Sequence, residues 1–303
     1  MKMRDELLDR LAAPRAWGYH HDAPGATEPT ATAALALQCA NLNEAAERAL
    51  AWLVRVQQPD GSLGVTATES TPAWPTTLAV LAFAKGGSRY DGRRKRAVDW
   101  LLGIEGQPVE RTKQLGHDST LIGWPWVVPT HSWAEPTALA VLALKSVGLA
   151  EHARCREATR LLVDRLLPEG GCNYGNTSVL GQMLRPHLMP TGVVLWALAG
   201  EADPSADQRH ADRIDRSLDY LQRQLSEPIS AAALSYSVLA LSAHGRSLAA
   251  AREPLNEVAA RHLKKSSATS PWKLALLALA ALEIDPISDR SRPSLVIETE
   301  VTT

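Results

Sequence analysis

Six stretches of the chain are apolar on nearly every side, and each follows a proline. They read ATAALAL after Glu28-Pro29-Thr30, TLAVLAF after Trp74-Pro75-Thr76, ALAVLAL after Glu135-Pro136-Thr137, GVVLWAL after Met189-Pro190-Thr191, SAAALSYSVLAL after Glu227-Pro228-Ile229 and KLALLALAAL after Ser270-Pro271-Trp272. Proline suits the first helical turn, where its missing N–H would have no partner and its fixed φ already matches the helix. Each phrase therefore predicts a helix start. Apolar residues on every side, as from Leu139 to Leu144, predict helices buried nearly all round.

Between these runs the apolar residues form a single stripe. Ile214, Leu218, Leu221 and Leu225 step by four, three and four, and Ala49, Trp52 or Leu53, and Val56 repeat the pattern. Half-exposed outer helices are expected there, near residues 93–102, 154–167 and 254–263, and at residues 4–11. Six inner and six outer helices predict an all-α ring, an α/α toroid, with the N-terminal outer helix sealing the last inner one. The prolines recur about 40 to 60 residues apart, the spacing of a helical-repeat array. Residues 1–285 are thus expected to form one domain. From residue 286 the chain turns polar and loses its period, so 286–303 are expected to be a disordered tail.

Composition narrows the partners. Hydrophobic residues make up 45% of the 303, enough for one continuous core, and a net charge of −1 argues against nucleic acid. The only strong basic cluster, Arg93-Arg94-Lys95-Arg96, reads either as a solvated helix start or as a peripheral membrane contact. Cys39, Cys155 and Cys172 have neither paired nor metal-like spacing, which points to a reducing compartment and hence the cytoplasm. No apolar run reaches the ~18 residues of a membrane span, and the N-terminal stretch lacks a signal-peptide core.

Connection lengths say where a site should lie. Links from inner to outer helices are short, whereas the return links near residues 57–74, 104–134 and 168–189 are long and gather on one face. That face also holds the inner-helix N-termini, whose partial positive charge favours an anionic group. Its loops carry Trp17, Tyr19, Trp74, Trp124, Trp126, His131, Trp133, Tyr174 and His187 in a chain with a single Phe. Such a concentration reads as an aromatic ligand pocket or as plugs at the end of a ring.

The alternating helices and the loop motif Gln57-Gln58-Pro59-Asp60-Gly61-Ser62-Leu63-Gly64, repeated as Pro168-Glu169-Gly170-Gly171-Cys172-Asn173-Tyr174-Gly175, resemble the repeats of the squalene cyclase and protein prenyltransferase superfamily. Leu63 and Cys172 stand where that family has an aromatic, and Trp17-Gly18-Tyr19 resembles the tail of a third copy. The resemblance implies the toroid over residues 1–285. It weighs against a zinc prenyltransferase, because no Asp-x-Cys pair exists and Cys172 fills the aromatic slot. Neither His20-His21-Asp22 nor His117-Asp118 has helical ligand spacing, so no metal or other cofactor is expected.

The Asp-x-Asp-Asp-Thr-Ala motif of class II terpene cyclases is also absent. Trp133-Ala134-Glu135-Pro136-Thr137-Ala138 resembles it in position, with Glu135 at the middle acid and Trp133 and Pro136 replacing the flanking ones. The resemblance then implies Glu135 as proton donor, His131 or Asp118 as the group that orients or recharges it, and a polyisoprenoid or related apolar lipid as ligand. Trp17, Tyr19, Glu28, Trp74, Trp124, Trp126, Trp133, Tyr174 and His187 are the expected binding residues. Against this stands a purely structural role, in which Glu28, Glu135 and Glu227 stabilise helix starts by ~0.3–1 kcal/mol each. A lipid-binding module without catalysis and a peptide-binding scaffold are the alternatives at the level of the whole protein, and the oligomeric state stays open.

Overall fold

The computed structural model describes residues 2–112, 115–201, 207–227, 229–264 and 269–287. Twelve α-helices of the described residues alternate between an outer and an inner layer. The outer layer is α1 (Lys2–Ala12), α3 (Asn43–Val56), α5 (Asp91–Gly103), α7 (Ala153–Asp164), α9 (Gln208–Gln224) and α11 (Arg252–Leu263). The inner layer is α2 (Thr27–Cys39), α4 (Thr76–Gly86), α6 (Ala134–Ser146), α8 (Leu188–Ala197), α10 (Ala231–Ala243) and α12 (Pro271–Ala281). Each inner helix packs against the next, and α12 returns to α2, which closes the ring. Helix α1 packs on α12 and α2 and so covers the seam.

The burial pattern follows the two periodicities. In α2 every residue from Thr27 to Leu37 is buried, and in α6 every residue from Ala134 to Leu144. Outer α9 buries only Ala211, Ile214, Ser217, Leu218 and Leu221. Alanine on the inner helices lets their backbones approach closely, while each fully buried leucine contributes about 1.5–3 kcal/mol. The prolines behave as the sequence implies: Pro271 opens α12, Pro29, Pro136 and Pro190 are third in their helices, and Pro75 stands at the N-cap of α4. Pro228 lies outside the described residues.

A recurring clamp ties each loop to its inner helix. The threonine hydroxyls of Thr30, Thr76, Thr137 and Thr191 lie 3.2, 3.3, 3.3 and 3.3 Å from the carbonyls of Trp17, Leu63, Trp124 and Cys172, the Thr76 and Thr191 protons going to the nearer Ala73 and His187 carbonyls at 2.7 and 2.6 Å. The last three of these hydroxyls also accept the N–H of the same loop residue, at 2.8, 2.9 and 2.9 Å. Threonine is needed because its hydroxyl can both donate and accept. Trp124 is therefore a fourth occupant of the slot shared by Trp17, Leu63 and Cys172. In the loops themselves, Gly61 and Gly170 have φ of +96° and +98°, and a β-carbon would meet the Arg96 and Arg216 carbonyl oxygens at 2.2 and 2.5 Å. Glycine there satisfies both the left-handed turn and the close approach to the next outer helix.

The opposite end of the ring is closed from within the chain. Trp196 on α8 donates its indole N–H to Asp285 at 3.1 Å, Pro286 is buried, and Ile287 packs against the core. Pro286 and Ile287, expected to begin the tail, instead help line a space of only about 20 Å³ with Leu35, Leu81 and Ser146. The rest of the expected tail, residues 288–303, lies outside the described residues. The basic run lies in the first turns of α5, where Arg94 pairs with Asp91 at 3.0 Å and Lys95 with Asp99 at 2.9 Å. No helix among the described residues is long and apolar enough to cross a membrane.

Candidate active site

Two inner helices start in the same way. The Thr27 N–H donates to the Val65 carbonyl and the Ala134 N–H to the Tyr174 carbonyl, both at 2.9 Å, so the first residue of α2 and of α6 is fastened to the following repeat loop. The next residue in each helix is a glutamate. Glu28 and Glu135 are left 8% and 7% exposed, and their charges act on each other across the ring. Tyr236 on α10 is 3% exposed and feels both carboxylates and Tyr19. Helices α2, α6 and α10 thus bring two acids and a phenol into one buried polar cluster.

Electrostatics in this cluster oppose what a helix N-terminus does alone. Burial, with repulsion from Glu28 second, pushes Glu135 from 4.5 up to about 7. Burial likewise pushes Glu28 up to about 7, against a hydrogen bond from the Tyr19 hydroxyl at 2.6 Å that favours its charged form. The net shift disfavours the charged form by about 3 kcal/mol for each, which outweighs the ~0.3–1 kcal/mol of the helix dipole. The Trp272 indole N–H lies near enough to favour ionised Glu28, yet it makes no hydrogen bond of normal geometry. Burial, followed by the Glu28 charge, also raises the Tyr19 hydroxyl, so it remains a donor.

The pair is asymmetric. Glu28 receives the Tyr19 hydroxyl, whereas the Glu135 carboxyl has no hydrogen-bond partner among the described residues. Two coupled acids titrate as a unit. Within that unit the anion is better placed on Glu28 and the proton on Glu135.

The other expected residues divide into three groups. Trp17 and Trp124 lie in the wall of the ring: they are 0% and 1% exposed, and their indole N–H groups are taken by the Leu11 and Leu101 carbonyls at 3.0 and 2.8 Å. Arg154 also covers the Trp124 ring at 4.5 Å. At the rim, aromatic rings meet in pairs: Tyr19 with Trp272 at 5.9 Å, Trp74 with Trp126 at 4.8 Å, His131 with Trp133 at 4.8 Å, and Tyr174 with His187 at 5.0 Å.

Among the described residues, neither Asp118 nor His131 makes a hydrogen bond to Glu135. Asp118 accepts the Thr120 N–H and hydroxyl at 3.0 and 2.6 Å, bonds that hold its carboxyl below the ordinary range. Its own N–H donates to Asp164 at 2.9 Å, so it is part of a loop anchor. His131 is exposed against Trp133, and the charge that acts on Glu135 is that of Glu28. Glu227, third of the expected helix-start acids, is exposed and precedes α10 by several residues. Tyr236 was missed, although an aromatic flanked by serines in the aliphatic run SAAALSYSVLAL was the signal for it. Cys172 is buried in its clamp with a thiol pushed up to about 12, unsuited to binding metal as a thiolate.

The largest loops frame a cleft of about 230 Å³, with Gln107, His117, His131 and Arg165 on its walls. None of the five cavities described among these residues is lined by Glu28 or Glu135.

The six inner and six outer helices form a closed α/α toroid. Among solved structures, the chain is similar to the type II terpene cyclase MstE from Scytonema. The ligand-free form matches with a TM-score of 0.64 and 13% identity over 94% of this chain and 98% of that one. A form bound to geranylgeranyl dihydroxybenzoate, its substrate, matches with a TM-score of 0.62 and 14% identity over 94% and 97%. A form bound to merosterolic acid A, its product, gives 0.59 and 13% over the same shares. By sequence alone the chain matches no family profile and no curated protein.

Proposed function

We propose that this protein is a terpene cyclase-like enzyme that takes a polyisoprenoid or related apolar lipid and starts its cyclisation by protonation from Glu135. The observation that carries the reading is the buried Glu28–Glu135 pair at the heads of two inner helices, where burial pushes both carboxyls up to about 7. The bound geranylgeranyl substrate of the Scytonema cyclase, a protein of the same fold, supports the class of ligand. Closure of the far end by Pro286 and Ile287 leaves the loop face as the way in.

Acid strength selects the acceptor. A carboxyl pushed up to about 7 keeps its proton but is a weaker acid than an ordinary one. An epoxide oxygen, far more basic than an unactivated alkene, is the better match. As the proton leaves Glu135, the neighbouring Glu28 carboxylate stabilises the cation forming on the substrate, an interaction strengthened by the low dielectric of the buried site. Tyr19 fixes Glu28 in that anionic role. The paired aromatic rings of Trp74 with Trp126, His131 with Trp133 and Tyr19 with Trp272 are the groups that would supply cation–π contacts to the cation.

Product analysis by gas chromatography and mass spectrometry tests this, using squalene, its 2,3-epoxide, farnesyl diphosphate and geranylgeranyl diphosphate. A cyclic product from the epoxide that Glu135→Gln no longer forms is expected. Full activity in Glu135→Gln would remove Glu135 as the acid. A second reading, a lipid-binding module without turnover, is favoured by the separation of the described cavities from the acid pair. It predicts bound lipid and no product from either form.

A further inference from the structure

Helix α1 packs on α12 and α11 where the ring closes, and two grooves that share Met3 follow that seam. One, of about 350 Å³, is lined by Arg252, Leu255, Leu282 and Glu283; the other, of about 360 Å³, is lined by Lys2, Glu6, Ala260, Leu263 and Lys264. Together they offer apolar contacts along the roughly 18 Å that the 12 residues of α11 span. Their rims are basic. Arg4 and Arg252 face Asp5 and Glu283 at 3.5 and 3.7 Å, and Glu6 is taken by Arg10 at 3.2 Å. Lys2 and Lys264 are exposed and make no ion pair among the described residues. The acids of α11, Glu253 and Glu257, line a different cavity.

One stretch of the same chain matches this seam in length, polarity and charge. In residues 295–301, LVIETEV, the positions Leu295, Ile297, Thr299 and Val301 alternate with Val296, Glu298 and Glu300. A period of two in β-branched residues is the pattern of an extended segment with one apolar side. Seven extended residues span roughly 23 Å, close to the length of the seam. Reach is sufficient as well. Ile287 packs against the core four residues after Glu283, so the nearer groove begins within about 14 Å of it, and the eight steps from Ile287 to Leu295 cover up to about 26 Å. We propose that residues 295–301 dock in the seam between α1 and α11, with Leu295 and Ile297 on Leu255, Leu282 and Met3, and with Glu298 and Glu300 toward Lys2 and Lys264. The segment then ties α1 to α11 where the ring closes, whatever reaction the ring performs.

The test is disulfide trapping in the full chain. Ala260→Cys and Thr299→Cys, in a Cys39→Ser background that leaves only the buried Cys155 and Cys172, come together in this arrangement and should join within one chain under mild oxidation. Arg160→Cys, exposed on α7, combined with Thr299→Cys is the control and should stay reduced. A glutamate-specific protease gives a second readout. Release of the C-terminal peptides after Glu298 and Glu300 should be about threefold to tenfold faster in Lys2→Glu/Lys264→Glu, a reversal at two exposed positions, than in the parent. Trapping no greater than in the control, or cleavage unchanged by the charge reversal, overturns the docking. Disulfides that join two chains overturn it as well and assign the seam to the same segment of a second copy.

Discussion

Glu135 shows how a single position can read one way in sequence and act another way in the fold. A glutamate in a first helical turn is ordinarily a stabilising anion, and the repetition of Glu-Pro supports that reading. Burial reverses it, and the charge of Glu28, on a helix more than a hundred residues away in the chain, adds to the effect. Both carboxyls bind protons more tightly folded, at about 7, than unfolded, near 4.5. Between those values the folded chain holds protons the unfolded chain has lost, so stability falls as pH rises through the window, and the full cost stands above pH 7. Glu135→Gln should therefore stabilise the protein at pH 8 by about 1–3 kcal/mol, a gain that vanishes at pH 4.5 and is read from thermal midpoints of variant and parent at each pH. Tyr19→Phe removes the donor that favours ionised Glu28. The pair should then hold its proton to higher pH by about one unit, visible as a shift of the pH–rate profile to the alkaline side.

At the scale of elements, the twelve helices were legible because two apolar periodicities and a set of prolines mark them without reference to anything distant. The loops were legible only where glycine spacing repeats. Trp124 escaped the repeat assignment because its loop lacks the Asp-Gly signature, and only the Thr137 clamp places it with Trp17, Leu63 and Cys172. Two glycines separate crowding from backbone conformation. Gly170 and Gly181 both have positive φ, but a β-carbon at Gly170 meets the Arg216 backbone at 2.5 Å and at Gly181 meets nothing within 4 Å. Gly181→Ala should cost about 1–2 kcal/mol from conformation alone. Gly170→Ala should cost at least twice as much and expose the Leu167–Gly171 turn to proteolysis. Equal denaturation midpoints for the two variants would show that the loop can move away from α9.

For the whole molecule, ring closure was foreseeable by counting helices, and the seam appears where expected, with Leu7 and Leu11 of α1 fully buried. Leu11→Ala should cost about 2–5 kcal/mol, as in a continuous core, and a loss below 1 kcal/mol in urea denaturation would mean that α1 is only an appendage. What sequence could not supply was the pairing across the ring, since Glu28, Glu135 and Tyr236 belong to helices that never touch in sequence order. It also assigned His131 and Asp118 to Glu135 because they share its loop, whereas the loop turns Asp118 toward Thr120 and Asp164. The central claim is that this ring shelters a protonated carboxyl at neutral pH. An infrared titration of the carboxyl C=O stretch in parent and Glu135→Gln addresses it directly. The account predicts a protonated carboxyl band that persists in the parent to a pH near 7 and is diminished in the variant; a parent protein with no protonated carboxyl above pH 5.5 would contradict it.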